Sequence, residues 1–233
     1  MLDALKNEVL DANRELHALG LAPFTWGNVS AVDRKEGVLA IKPSGVAYDK
    51  LTRDDIVIVS LEDCSVIEGA LNPSSDTPTH FYLYRHFAGL GAIVHTHSTY
   101  ATSRAQAGLY LPSYGTTHAD FSYTAIPCTR ALTKQEVESD YELNTGRVIA
   151  RHFDDNGLSI ISTPAVLVRC HAPFIFGPCA SKAVENAAVL EIIAQMAFQT
   201  ELLGQDAEID GYLSDKHFLR KHGKNAYYGQ GNN

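Results

Sequence analysis

Apolar residues recur at helical spacing from the start of the chain: Leu2, Leu5, Val9, Leu10, Leu16 and Leu19, closed by Gly20 and Pro23. That spacing predicts a first helix of about 18 residues. The period then changes. Residues 24–32 and 38–41 read as strands around a turn at 33–37, and 56–61 with 65–68 as a second hairpin. Residues 73–78 form a loop leading into a helix, with Pro78 suited to a first helical position and Asp76 or Thr77 to the cap. The helix continues over 79–87 until Gly89 and Gly91 stop it. A strand at 93–97, a short helix near 101–107 and a polar loop ending at 115–120 follow. Residues 134–153 predict one long helical stretch with Gly146 in its middle. Residues 165–170 read as a buried strand running into His171, and 180–203 as the clearest helix of the chain. Alternating helices and strands without a Gly-rich dinucleotide fingerprint, a P-loop or a repeat predict one three-layered α/β domain over residues 1–233.

Composition narrows the class. A chain of 233 residues, 45% hydrophobic and 20% charged, builds a full core as an ordinary soluble globular protein. The formal charge of −8 argues against nucleic acid as a partner, which would require a basic face. A small anion is still compatible, because backbone N–H groups and one lysine hold a phosphate on an acidic protein. Cys64, Cys128, Cys170 and Cys179 are scattered and form no Cys-x-x-Cys pair, as expected of free thiols in a reducing compartment. The first residues lack a basic region followed by an apolar run, and no stretch approaches the ~18 apolar residues of a membrane span. A cytoplasmic protein with no membrane partner is expected.

Candidate chemistry centres on Ile93-Val94-His95-Thr96-His97. In a strand, His95 and His97 share one face about 7 Å apart along the chain. Two imidazoles on a rigid face suit zinc, copper, iron or nickel, although His-x-His also occurs on ordinary strand faces. His171, at the end of an apolar run, is a third candidate ligand or a hydrogen-bonded structural residue. The loops Pro73-Ser74-Ser75-Asp76 and Lys42-Pro43-Ser44-Gly45 offer hydroxyls, backbone N–H groups and a cation in an anion-binding arrangement. Each also reads simply as a helix cap or a strand-ending turn. Asp120, beside His118, and the tail pair Tyr227-Tyr228 are adequately explained as surface residues.

A resemblance adds to that reading. Thr25-Trp26-Gly27-Asn28-Val29-Ser30, Ile41-Lys42-Pro43-Ser44-Gly45-Val46, Pro73-Ser74-Ser75-Asp76-Thr77, Ile93-Val94-His95-Thr96-His97-Ser98 and Gly115-Thr116-Thr117-His118-Ala119-Asp120 occur in order. Ile126-Pro127-Cys128-Thr129-Arg130 and a tail running from Lys216-His217 to Tyr228-Gly229-Gln230 complete the series. End to end, the chain resembles the L-ribulose-5-phosphate 4-epimerase branch of the class II aldolase superfamily. The resemblance implies an α/β/α domain around a central, largely antiparallel sheet. It implies a Zn2+ site of Asp76, His95, His97 and His171, and a sugar phosphate held near Gly27, Asn28, Lys42, Ser44, Gly45, Ser74 and Ser75, with Thr116 nearby. Asp120 and Tyr228 take the acid/base roles, supported by Glu142 and His217. Fourfold homotetramers with active sites between subunits are also implied. Tyr100, where His is expected, and Cys170-His171-Ala172-Pro173, in place of a Ser-His-Gly-Pro-like run, depart from the pattern without removing a ligand.

The implied chemistry is self-consistent. The hydrogen on carbon four of a 2-ketopentose phosphate is not α to the carbonyl, so its removal gives no stabilised carbanion. Breaking and remaking the bond between carbons three and four avoids that problem without a nicotinamide. A Lewis-acid metal stabilises the enediolate so formed, and rotation of the aldehyde before re-addition inverts the centre. The two faces need two proton carriers, and the ordinary pKa values of Asp and Tyr, about 3.9 and 10, require tuning for that task. The alternatives are a fuculose- or rhamnulose-phosphate type of class II aldolase and a non-catalytic module like the adducin head. Those aldolases carry Glu where this chain has Asp76, and retention of three histidines argues against the module.

Overall fold

The computed structural model describes residues 2–227. The chain begins with α1 (Leu2–Ala18), then β1 (Asn28–Asp33), β2 (Val38–Ile41), β3 (Val57–Ser60), β4 (Val66–Glu68), α2 (Thr77–His86), β5 (Ala92–His95) and α3 (Thr99–Ala107). It continues with α4 (Thr116–Ala119), α5 (Lys134–Glu138), α6 (Tyr141–Asp155), β6 (Ala165–Leu167), β7 (Pro173–Gly177), α7 (Ala180–Leu202) and α8 (Gly211–His222). The strands form one seven-stranded sheet in the order β4-β3-β2-β1-β5-β7-β6, and every neighbouring pair is antiparallel.

Strand alternation divides the core into two layers. Ala92 and Val94 of β5, with Ala165 and Leu167 of β6 and Ile175 of β7, pack with Val9, Leu16, Ala101, Ala105, Leu190 and Ala194 of α1, α3 and α7. The intervening residues Ile93, Val166, Phe174 and Phe176 pack on the other side with Leu83 and Tyr84 of α2 and Ile149 and Phe153 of α6. Both faces are covered, which makes three layers. His95 follows Ile93 by two residues, so its side chain belongs to the α2 and α6 side.

Two expectations change. Strand β5 ends at His95, so His97 lies past the ladder rather than within it. The long helix expected over 134–153 is broken at Ser139 and Asp140 into α5 and α6. Asn144 bridges the break, its amide donating to the Glu136 carbonyl and Ser139 Oγ, each at 3.0 Å. Short polar residues that bond locally favour such ends over helix interiors, whereas Gly146 remains helical and buried. Strand β7 and helix α8 carry no distinct sequence signal. Five apolar-rich residues of β7 are buried throughout and so lack alternation, and α8 buries only Phe218. No helix among the described residues is long and apolar enough to cross a membrane.

Gly91 shows how closely the layers approach. A Cβ there would lie 2.0 Å from the Pro178 carbonyl oxygen, whereas one at Gly89 would meet nothing within 4 Å. Gly91→Ala should therefore cost about 3 kcal/mol, the upper end of overpacking penalties. Gly89→Ala should be close to neutral. Urea unfolding of the two variants checks the contrast.

Candidate active site

An antiparallel sheet brings the C-terminal end of one strand beside the N-terminal end of the next, and this sheet uses one edge in that way. Asn28 at the start of β1 pairs with His95 at the end of β5, and His95 with Phe174 near the start of β7. Lys42 leaves β2 at the same edge, because Ile41 pairs with Ser30. On the α2 and α6 side, the first turns of those helices bring Asp76, Tyr141 and Glu142 to the same place.

These segments enclose a cavity of about 560 Å³. Gly27, Asn28, Lys42, Ser44, Gly45, Ser74, Ser75, Asp76, His95, His97, Glu142 and His171 all line it. Thr25, Trp26, Pro43 and Tyr141 join them, four residues to which the sequence by itself assigns no role. Trp26 has an available signal in its position next to Gly27. Tyr141 has none, because it faces the cavity only through the break between α5 and α6.

One nitrogen from each of His95, His97 and His171 lies within 4.8 Å of the other two. Each imidazole reaches the cluster by a different route. His95 is fixed by the sheet: its Nδ1–H donates to the Pro173 carbonyl at 3.0 Å, leaving Nε2 as the lone-pair donor. Its ring stacks on Phe174 at 4.3 Å. His97 stands beside Trp26, with ring centroids 6.1 Å apart. His171 sits in the β6–β7 turn, entered through Cys170 at φ 63°. His171 Nδ1 is buried without a hydrogen-bond partner. A buried orphan nitrogen beside two other imidazoles fits a metal ion, which would satisfy it. Asp76 stands beside this cluster and is not among the donors that close to within 4.8 Å. Its Oδ2 accepts from Asn28 Nδ2 at 2.7 Å.

Electrostatics suit the same role. Burial holds His95 and His97 below the ordinary imidazole range and pushes His171 down to about 4, so the ring lone pairs are free. Burial pushes the Asp76 carboxyl up, but His95, His80 and the Asn28 hydrogen bond outweigh it and keep the group a carboxylate. Beneath the site, His80 is fully buried at about 3, its Nδ1 bonded to Ser30 Oγ at 2.7 Å.

The anion-binding loops are zipped together. Ser44 N–H donates to the Asn72 carbonyl and Ser74 N–H to the Lys42 carbonyl, each at 3.0 Å. Those two amides are therefore occupied, contrary to a nest using all of them. The Gly45 and Ser75 amides and the Ser44 and Ser75 hydroxyls make no hydrogen bond among the described residues. Lys42 sits 1% exposed beside them, and burial lowers its pKa to about 8. Gly27 closes the opposite wall at φ 72°, where a Cβ would lie 2.5 Å from the His95 carbonyl oxygen. Only glycine serves there.

Thr116, Asp120 and His217 do not line this cavity. Asp120 lies at the end of α4 against α8, its Oδ1 accepting from His217 Nδ1 at 3.1 Å and its Oδ2 from Arg220 at 2.7 Å. Lys221 Nζ stands 3.5 Å away. Burial pushes Asp120 up, and the Arg220 and His217 hydrogen bonds outweigh it, so the carboxylate is held charged. Thr116 starts α4, and its carbonyl accepts the Asp120 N–H at 2.9 Å. Tyr228 lies outside the described residues.

The buried imidazoles have a consequence for stability. His171 and His80 titrate at about 4 and about 3 in the fold against the ordinary 6.5. The unfolded chain therefore binds more protons below 6.5, and metal-free protein should lose stability as pH falls from 6.5 toward 4. The slope reaches at most ~1.4 kcal/mol per pH unit for each imidazole. Urea midpoints of chelator-treated protein at pH 6.5 and 5.0 check this, and equal midpoints would contradict it.

Comparison with known proteins agrees with the geometry. The profile of the family described as Class II Aldolase and Adducin N-terminal domain matches residues 7–198. The chain is 51% identical over 230 residues to proteins named L-ribulose-5-phosphate 4-epimerase UlaF from Salmonella paratyphi C (strain RKS4594) and Salmonella typhi. Each alignment covers 98% of this chain and 100% of the relative. Among solved structures, an L-fuculose 1-phosphate aldolase superposes with a TM-score of 0.77 at 22% identity, covering 92% of this chain and 94% of that one. The L-fuculose-1-phosphate aldolase of Thermus thermophilus gives 0.68 at 23% identity, with 89% and 100% coverage. These two likenesses establish the class II aldolase fold. The chain belongs to the class II aldolase and adducin N-terminal domain family.

Proposed function

We propose that this chain is an L-ribulose-5-phosphate 4-epimerase, interconverting L-ribulose 5-phosphate and D-xylulose 5-phosphate through carbon–carbon bond cleavage and re-formation. The observation that carries this reading is one cavity joining three imidazoles to a lysine-containing anion cradle, in a chain 51% identical to epimerases over their full length. In this reading the whole chain acts as one catalytic domain in the cytoplasm.

His95, His97 and His171 hold the metal, with Asp76 at its side, and zinc suits this donor set. The ion supplies Lewis-acid stabilisation of negative charge on the sugar oxygens. The residues of the chain do the rest. Lys42, the Gly45 and Ser75 amides and the two serine hydroxyls bind the phosphate and keep the aldehyde fragment from leaving while it turns. Asn28, locked to Asp76 and Ser74, and Glu142 orient the sugar hydroxyls. Asp120 and Tyr228 carry protons on opposite faces of the turning aldehyde, with His217 and Thr116 holding the Asp120 end.

Asp120 belongs to a cluster that does not line the metal cavity. That separation supports a homotetramer in which the α4–α8 cluster and tail of one copy complete the cavity of the next. In such an arrangement Asp120 is already charged through Arg220 and His217 and acts as the proton acceptor.

Turnover of L-ribulose 5-phosphate with chelator and then restored zinc tests the assignment. Epimerisation that is lost and regained is expected. Release of free glycolaldehyde phosphate without epimer would instead make the protein an aldolase. Tyr228→Phe should retain metal and fold and lose activity by ~10²-fold or more, the scale of a missing general acid or base. Near wild-type turnover in that variant would remove the tyrosine from the mechanism.

A further inference from the structure

Below the anion cradle lies a residue to which neither the sequence motifs nor the cavity lining gives a role. Tyr48 is 1% exposed and stands on the opposite side of the sheet from the imidazoles, in the α1 core. Its hydroxyl shares its proton between the carbonyls of Trp26 and Gly27, both at 2.9 Å. Lys42 Nζ lies over its ring, 4.7 Å from the centroid. His17 of α1 stacks on the same ring at 4.9 Å and 7°, and is itself anchored by Nδ1–H to the Ala22 carbonyl at 2.8 Å.

One buried side chain thus touches both walls of the cavity mouth, the cation on one and the glycine turn on the other. We propose that Tyr48 is a positioning residue for anion binding: its ring holds the Lys42 ammonium and its hydroxyl fixes the Trp26–Gly27 turn. The inference rests on the reading of the cavity as a sugar-phosphate site. Lys42 has few other partners among the described residues. Its ammonium makes a long hydrogen bond of 3.4 Å to the Pro43 carbonyl, while Asp76 and Glu142 are the carboxylates lining the same cavity and His17 is the titratable group behind the tyrosine. An ammonium so buried loses its proton easily, and an aromatic face opposes that loss by stabilising the charged form.

The two handles predict different behaviour on substitution. Sulfate is a suitable probe, because it remains a dianion across neutral and alkaline pH and only the protein titrates. Calorimetric binding to the metal-loaded protein between pH 6.5 and 9.5 should weaken through about pH 8 as Lys42 loses its proton, and Lys42→Met should remove that limb. Tyr48→Leu should bind about tenfold more weakly at pH 7 and shift the limb down by roughly one pH unit, on the scale of a desolvated cation–π contact. Tyr48→Phe keeps the ring, so its limb should stay in place while affinity falls about threefold from release of the glycine turn. Zinc content should be unchanged in both, which a merely structural collapse would not leave intact. Wild-type affinity and pH limb in Tyr48→Leu would overturn the proposal. If Tyr48→Leu does not fold, Tyr48→Phe decides, and wild-type sulfate affinity there overturns it. A wild-type protein that binds no sulfate overturns both this inference and the sugar-phosphate reading, whereas normal binding with unchanged tyrosine variants overturns this one alone.

Discussion

The cavity depends on the antiparallel pairing of β1 with β5, which sets Asn28 directly across from His95. Because side chains alternate along each strand, that register sends Asn28, Ser30, Ile93 and His95 to the same face. A slip of one residue would turn His95 into the α1 core and Val94 into the imidazole cluster. The register is held by burial on both faces, since Val94 and Ile93 contribute to separate apolar clusters and neither tolerates exposure. Gly27 permits the strand to start there at all, because its backbone passes against the His95 carbonyl where no side chain fits.

From that pairing the remaining parts follow by connection. The turn between β6 and β7 brings His171 to the edge because Phe174 pairs with His95. Helix α2 starts at the edge and delivers Asp76, while the break before α6 does the same for Glu142. Thr79 Oγ1 donates to the Glu142 carbonyl, tying the two helix starts together. Polar groups in such a buried place must be bonded or costly. Asn28 Nδ2 and His95 Nδ1 are bonded, whereas Asn28 Oδ1, His80 Nε2 and His171 Nδ1 have no partner, and the last of these lies beside the imidazoles of His95 and His97 where a metal fits.

Charge is divided in the same way. The imidazoles are kept neutral by burial, Asp76 is kept anionic by its neighbours, and burial lowers the Lys42 pKa to about 8 while its ammonium lies over the Tyr48 ring. At the end of α4, by contrast, the Asp120 carboxylate is surrounded by His217, Arg220 and Lys221 of α8. The two regions differ in character, one a cluster of neutral imidazoles that could hold a metal and the other a charged carboxylate fixed by cations. They occupy different parts of one subunit.

Local pattern alone was enough for α1, β2, the β3–β4 hairpin and α7, whose periodicity and glycine stops are strong. Likewise, the cavity-lining residues near Gly27, Lys42, Ser74 and His95 lie in motif blocks, each short and contiguous, whereas Glu142 was implied by the resemblance alone. What pattern could not reach is whatever depends on contacts distant in the chain. The end of β5 before His97, the split between α5 and α6 and the fully buried β7 are set by partners rather than by neighbours in sequence. The positions of Asp120 and Tyr48 are of the same kind, as one carboxylate is claimed by a helix about 100 residues later and one tyrosine by the Trp26–Gly27 turn and by Lys42. Sequence determined which chemical groups the protein possesses and the elements that carry them. Only the tertiary structure decided which of them meet, because hydrogen bonds and burial act across space and leave no local periodicity.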